Sequence, residues 1–96
     1  NDDMALGAIE ACAARGFTNV KIYGFDALPE ALAAVRDGTM AGTVEQFPGE
    51  QSRTAVRIAV DYVRNGTEPP EPVVLITPIV IGPDNLDQAE RIGELS

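Results

Sequence analysis

A chain of 96 residues with 45% apolar side chains has material for one modest core, so one small α/β unit is expected and a second complete domain is not. Fifteen Asp and Glu against seven Lys and Arg give a net charge of −8, which repels nucleic-acid backbones and anionic membranes and argues against direct DNA binding. A single cysteine, Cys12, and no histidine remove a disulfide framework, a structural zinc centre and histidine acid/base chemistry together.

The chain opens Asn1-Asp2-Asp3, supplying a capping oxygen and negative charge to a helix on which Met4, Leu6, Ile9, Cys12 and Ala13 recur at helical spacing until Gly16. Cys12 lies in an alanine-rich stretch and reads as a small buried hydrophobe. Val20-Lys21-Ile22-Tyr23 is β-branched and aromatic and closes on Gly24-Phe25-Asp26, a strand that delivers a carboxylate at its carboxyl end. Pro29 opens a second helix, which runs through Leu32 and Val35 to a stop at Asp37-Gly38. Residues 41–46, centred on Thr43 and Val44, form a second short strand that Phe47-Pro48-Gly49 ends. Residues 50–64 carry Val56, Ala59, Val60 and Val63 on one helical face and Arg53, Arg57, Asp61 and Arg64 largely on the other, before Asn65-Gly66. Asn65-Gly66-Thr67 also fits a glycosylation pattern, and is read here as the turn that ends the helix. A stiff proline-rich connector at 67–72 leads to a β-rich run at 73–81, broken at Pro78 and far too short to cross a bilayer. A turn at Gly82-Pro83 and a short helix from Asp84 or Asn85 to about Gly93 complete the chain.

Helix, strand, helix, strand, helix, strand is the order of an α/β fold: a three-layer, Rossmann-like parallel sheet with flanking helices. Such folds place a strand before the first helix, so a further strand ahead of Asn1 is expected, and any export signal lies outside the sequence. Ligands of open parallel sheets bind beyond the carboxyl ends of strands, where Asn1, Asp26 and Gln46 fall. Two amides and a carboxylate suit a polyhydroxylated ligand, since each hydroxyl both donates and accepts. The same residues admit a plainer reading, with Asn1-Asp2 as a helix cap and Asp26 capping the helix near Pro29. Asp2, Asp3 and Glu45 are expected as solvated surface carboxylates rather than metal ligands. No GxGxxG, P-loop, nucleophile or metal cluster is present, so neither an enzyme nor a cofactor is expected.

Asn1-Asp2-Asp3-Met4-Ala5-Leu6-Gly7-Ala8, Gly24-Phe25-Asp26, Gly38-Thr39-Met40, Thr43-Val44-Glu45-Gln46, Pro78-Ile79-Val80-Ile81 and Asn85-Leu86-Asp87 occur in that order. In order and spacing they resemble the C-terminal motifs of type I periplasmic sugar-binding proteins of the ribose-binding kind, the ligand receptors of bacterial ABC transporters. The resemblance covers nearly the whole chain and implies an incomplete part of a two-lobe fold whose lobes are joined by three crossing strands. It places residues 1–46 in the C-terminal lobe, residues 47–72 on a helix and linker crossing to the N-terminal lobe, and residues 73–96 on a returning strand and C-terminal helix. It implies sugar contacts from Asn1, Asp26 and Gln46, no cofactor, and no matching position for the aromatic rings that stack on the sugar.

The function so implied is capture of a monosaccharide between two lobes, without chemical conversion, for delivery to an ABC permease. The setting is the periplasm, or the outer face of a Gram-positive cell through a lipid anchor, with no direct membrane insertion. Phe47-Pro48 and Thr77-Pro78 read either as hinges or as plain strand ends. The helix near 50–65 is expected to lack a complete apolar partner, so the chain needs a missing N-terminal part or self-association. Two rivals remain: the effector-binding domain of a lactose-repressor-type regulator, which resembles the same fold and shares Gly-Phe-Asp, and a stand-alone module for protein contacts. Asp37-Gly38-Thr39-Met40 and the closing Pro-Ile-Val-Ile look more like the transport receptors.

Overall fold

The computed structural model describes residues 1–69 and 71–95 and divides into two compact units. One consists of Asn1–Gln46 together with the chain from Pro78 onward; the other is Phe47–Thr77. Pro70, within the expected connector, and Ser96 lie outside the described residues.

In the first unit, helix α1 spans Asp2–Ala14, and the Asn1 side-chain oxygen accepts the Met4 N–H at 3.0 Å, one of the donors a helix start leaves unpaired. Helix α2 spans Pro29–Asp37, with proline in its first turn and Gly38 in the left-handed region at φ 88° closing its end. Strands β1, Thr43–Glu45, and β2, Ile79–Ile81, pair antiparallel in the register Thr43↔Ile81, Val44↔Val80, Glu45↔Ile79. On its other edge β1 takes an extended segment at residues 22–26. Ala41 N–H donates to Ile22 O at 2.8 Å, Gly24 N–H to Gly42 O at 2.9 Å and Asp26 N–H to Val44 O at 2.9 Å, and the bridge between Tyr23 and Gly42 is parallel. The β1 strand is thus central in a mixed arrangement, parallel to one neighbour and antiparallel to the other.

Three expectations are corrected here. The returning strand runs antiparallel because the chain leaves this unit just past the carboxyl end of β1, at Gln46, and re-enters at Pro78 beside that same end. Of the run at 73–81 only Ile79–Ile81 forms a strand; Val73 and Leu75 are exposed with no ladder partner among the described residues. The C-terminal helix is replaced by two 3₁₀ turns, Leu86–Gln88 and Ile92–Glu94. Ala89 between them is extended, at φ −76° and ψ 135°, and buried, while the Glu90 N–H goes to the Glu45 carboxylate at 2.8 Å rather than to a helical carbonyl.

Two clusters form the core. Ala5, Ala31, Ala34, Val35 and Met40 join α1 to α2, and Ala27, Leu32, Ile81 and Ala89 join α2 to β2 and the 3₁₀ turns; Leu86 packs against both.

In the second unit, helix α3 spans Pro48–Asn65, beginning two residues ahead of the expected start because Pro48 serves as its first helical residue. Phe47 before it is left-handed at φ 59°, and Gly66 ends it at φ 68°. No α3 residue is buried, and Val56, Val60 and Val63 of its apolar face are exposed, as expected for a helix lacking its full partner. Among the described residues no helix is long and apolar enough to cross a membrane.

Candidate functional site

The site is organised around a carboxylate expected on the surface. Asp2 has no exposed surface. Its Oδ1 accepts the Thr43 hydroxyl at 2.6 Å and its Oδ2 accepts the Leu28 N–H at 2.7 Å, while its own N–H donates to Phe25 O at 2.9 Å. Thr43, also fully buried, accepts the Ala27 N–H on Oγ1 at 3.2 Å. The first turn of α1, the end of the 22–26 segment, the start of α2 and β1 are thereby tied at one point. Gly24 makes room for it: a Cβ there would overlap the Asp2 carboxylate and stand 3.2 Å from the Asp2 Cα.

Burial of Asp2 is tolerable because both its oxygens accept donors, which offsets the cost of removing a charge from water. Glu45 likewise departs from the surface expectation. It is 1% exposed and bonded to the Glu90 N–H, whereas Asp3 is exposed as expected.

The three residues singled out from the sequence lie along one end of the sheet. Asn1 directly precedes α1 and is exposed; its side-chain oxygen serves the helix cap, which leaves its amide N–H groups to donate outward. Asp26 ends the 22–26 segment, joined through its backbone to Val44. Gln46 follows β1 and is half-buried.

The alternative role for Asp26 as a helix cap is not what the structure shows. The α2 N-cap is Leu28, without a side-chain cap bond, and its N–H is held by Asp2. Asp26 is exposed, has no side-chain hydrogen bond among the described residues, and sits at φ 122°, followed by Ala27 at φ 55°. A non-glycine residue in that region is strained, and such residues concentrate at functional sites.

Two residues of this site, Asp2 and Thr43, were missed from sequence. Thr43 could have been found: on a strand whose centre is half-buried, Thr43 and Glu45 share one face by the two-residue period, so both turn inward together. Asp2 carried no such signal, because an acidic residue in the first helical turn has an ordinary explanation. Among the described residues no group of three or more His, Cys, Asp or Glu is placed to hold a metal ion.

A periplasmic binding protein domain model matches residues 1–68. Over 66 residues the chain is 41% identical to the ribose import binding protein RbsB of Salmonella typhimurium, covering 69% of this chain and 22% of that protein. Over 89 residues it is 34% identical to a xylitol-binding protein of Mycolicibacterium smegmatis, covering 93% of this chain and 25% of that one. Among solved structures, a Caulobacter myo-inositol binding protein bound to myo-inositol superimposes with a TM-score of 0.85 at 52% identity, covering 99% of this chain and 32% of that one. A periplasmic ribose ABC transporter protein from Conexibacter woesei gives 0.80 at 40% identity, covering 92% and 30%. The chain therefore spans between about a fifth and a third of the length of these proteins. With the greater part of its length matched by that model and nearly all of it superimposed on these structures, the chain belongs to the type I periplasmic sugar-binding protein family, as an incomplete α/β part of the two-lobe fold.

Proposed function

We propose that the protein containing this chain is the substrate-binding component of a bacterial ABC importer, which holds a monosaccharide or a comparably hydroxylated ring between two lobes and passes it unaltered to a membrane permease. The observation that carries the reading is Asp26: an exposed carboxylate without a side-chain partner among the described residues, on a strained backbone, at the sheet end that also bears Asn1 and Gln46. Asp26 accepts two ligand hydroxyl hydrogens, and the Asn1 and Gln46 amides supply further donors and acceptors. Relatives named for ribose, xylitol and myo-inositol support a polyhydroxylated ligand. Relatives named as periplasmic support that compartment.

We assign residues 1–46 to the ligand-facing edge of the C-terminal lobe, residues 47–72 to a helix and linker crossing to the N-terminal lobe, and residues 73–96 to the return. The division of the chain at Gln46 and Pro78 supports this assignment, as does the apolar face of α3 left open in this chain. The left-handed Phe47 and the segment at Thr77-Pro78 serve as the hinge, a few torsions absorbing lobe closure.

The test is calorimetry on the intact protein with ribose, galactose, allose, xylitol and myo-inositol. At least one binds, and Asp26→Ala weakens it by roughly 1 to 4 kcal/mol, several-fold to about a thousandfold, by leaving buried ligand hydroxyls without an acceptor. Unchanged affinity in that variant overturns the assignment.

A further inference from the structure

We propose that the buried Asp2 and Thr43 side chains act together as a positioning pair, holding the Asp26 loop in the strained conformation from which Asp26 presents its carboxylate to the ligand. The inference rests on the reading of Asp26 as a ligand contact.

Two consecutive side-chain-bearing residues, Asp26 and Ala27, have positive φ. Such a pair persists only where its surroundings over-determine it. Each backbone N–H from 26 to 28 has a named acceptor: Asp26 donates to Val44 O, Ala27 to Thr43 Oγ1 and Leu28 to Asp2 Oδ2. Only the first of these is an ordinary sheet bond.

The direction of the other two is fixed by proton bookkeeping. The Thr43 hydroxyl has one proton, which it gives to Asp2 Oδ1 at 2.6 Å, so towards Ala27 it can only accept. The Asp2 carboxylate can only accept, and takes one donor on each oxygen. The pair is a small, fully matched network out of contact with water, where hydrogen bonds to a charged acceptor are strong.

Asp2 and Thr43 have no exposed surface, so neither touches a ligand; their effect on binding passes through Asp26. Asp2 also fixes Asn1, its chain neighbour, to the same point through its own N–H bond to Phe25 O. The carboxylate that meets the ligand and the carboxylate that shapes the loop are therefore different residues.

The experiment is a double-mutant cycle on the intact protein, read by calorimetry with the sugar or polyol that binds the parent. Thr43→Val keeps the side-chain shape and removes the hydroxyl, while Thr43→Ser retains it. Thr43→Val is expected to lower affinity about tenfold or more and Thr43→Ser by no more than about twofold. In an Asp26→Ala background Thr43→Val is expected to change affinity by less than about threefold, since contacting residues that act as a unit do not add. If Thr43→Val does not fold, Asp2→Asn replaces it in the cycle with the same expectation. Unchanged affinity in Thr43→Val overturns the proposal. So does an equal loss with and without Asp26, which marks a general structural role. A parent that binds none of the five sugars and polyols removes the reading of Asp26 and the positioning role with it, whereas a binding parent with an indifferent Thr43→Val removes the positioning role alone.

Discussion

Replacing Gly24 by alanine adds one methyl group at the most crowded point of the first unit. That carbon would overlap the Asp2 carboxylate and lie 3.2 Å from the Asp2 Cα and Cγ. Rotating the carboxylate away breaks its bonds to Thr43 and Leu28, at about 1.5 to 3 kcal/mol for each hydrogen bond to a charged group. Moving the first turn of α1 keeps those bonds and costs about 1 to 3 kcal/mol in repacking. The chain takes some mixture of the two, so a loss of roughly 2 to 5 kcal/mol is expected, a large share of the ~5–15 kcal/mol that holds a domain together. Gly7→Ala is the matched control: Gly7 lies inside α1 with nothing within 4 Å of the added carbon, and should gain about 0.5 to 1 kcal/mol from helix propensity. Urea unfolding followed by circular dichroism, with unchanged m-values, measures both. A Gly24→Ala protein within about 0.5 kcal/mol of its parent refutes the close-approach argument.

Leu32→Ala, at a position with no exposed surface, should cost about 2 to 5 kcal/mol in the same assay; a loss below about 1 kcal/mol would mean that Leu32 does not anchor the second core cluster. Val63→Lys should be neutral within about 0.5 kcal/mol in the 96-residue chain, where Val63 is 81% exposed. In the intact protein it should be distinctly destabilising, and neutrality in both contexts would count against a covering N-terminal lobe. The Arg91 guanidinium, hydrogen-bonded to Glu94, holds that carboxyl below its ordinary range. Any stabilisation from the pair is therefore present above the ordinary glutamate pKa and lost as pH falls through the lowered one. Glu94→Gln should match its parent in acid, differ slightly at neutral pH, and lose that difference in high salt; a difference that grows in acid contradicts the sign.

The helices α1, α2 and α3 were legible because their boundaries rest on local chemistry, whereas the expected C-terminal helix gives way to two 3₁₀ turns. Asn1 caps α1, Pro29 opens α2, and Gly38 and Gly66 end α2 and α3 in the left-handed conformation that disfavours other residues. The strands were less so. Pairing of the first extended segment starts at Ile22 rather than Val20, and the run at 73–81 pairs only at its end, because pairing is decided by the neighbour and not by β-propensity. The antiparallel return of β2 follows from where the chain re-enters the unit, which no residue near Ile79 encodes. At the site, Asp26 and Gln46 could be placed at the ends of extended segments, and Asn1 at the head of α1, from pattern alone. The burial of Asp2 and Glu45 could not, since their partners lie far along the chain, at Leu28 and Thr43 and at Glu90.

The pairing of Glu45 with Ile79 has a use in protein engineering. Gln46 and Pro78 are the next residues outward on two neighbouring antiparallel strands, so their backbones emerge side by side, about 5 Å apart at such a ladder end. Residues 47–77 are an excursion that departs and returns through that gap. A short turn in place of residues 47–77, with Pro78 replaced by a residue that has a backbone N–H to donate, would close it and convert a discontinuous unit into one uninterrupted chain. Such a miniature would carry the proposed ligand contacts Asn1, Asp26 and Gln46 on a single small scaffold without the exposed apolar face of α3.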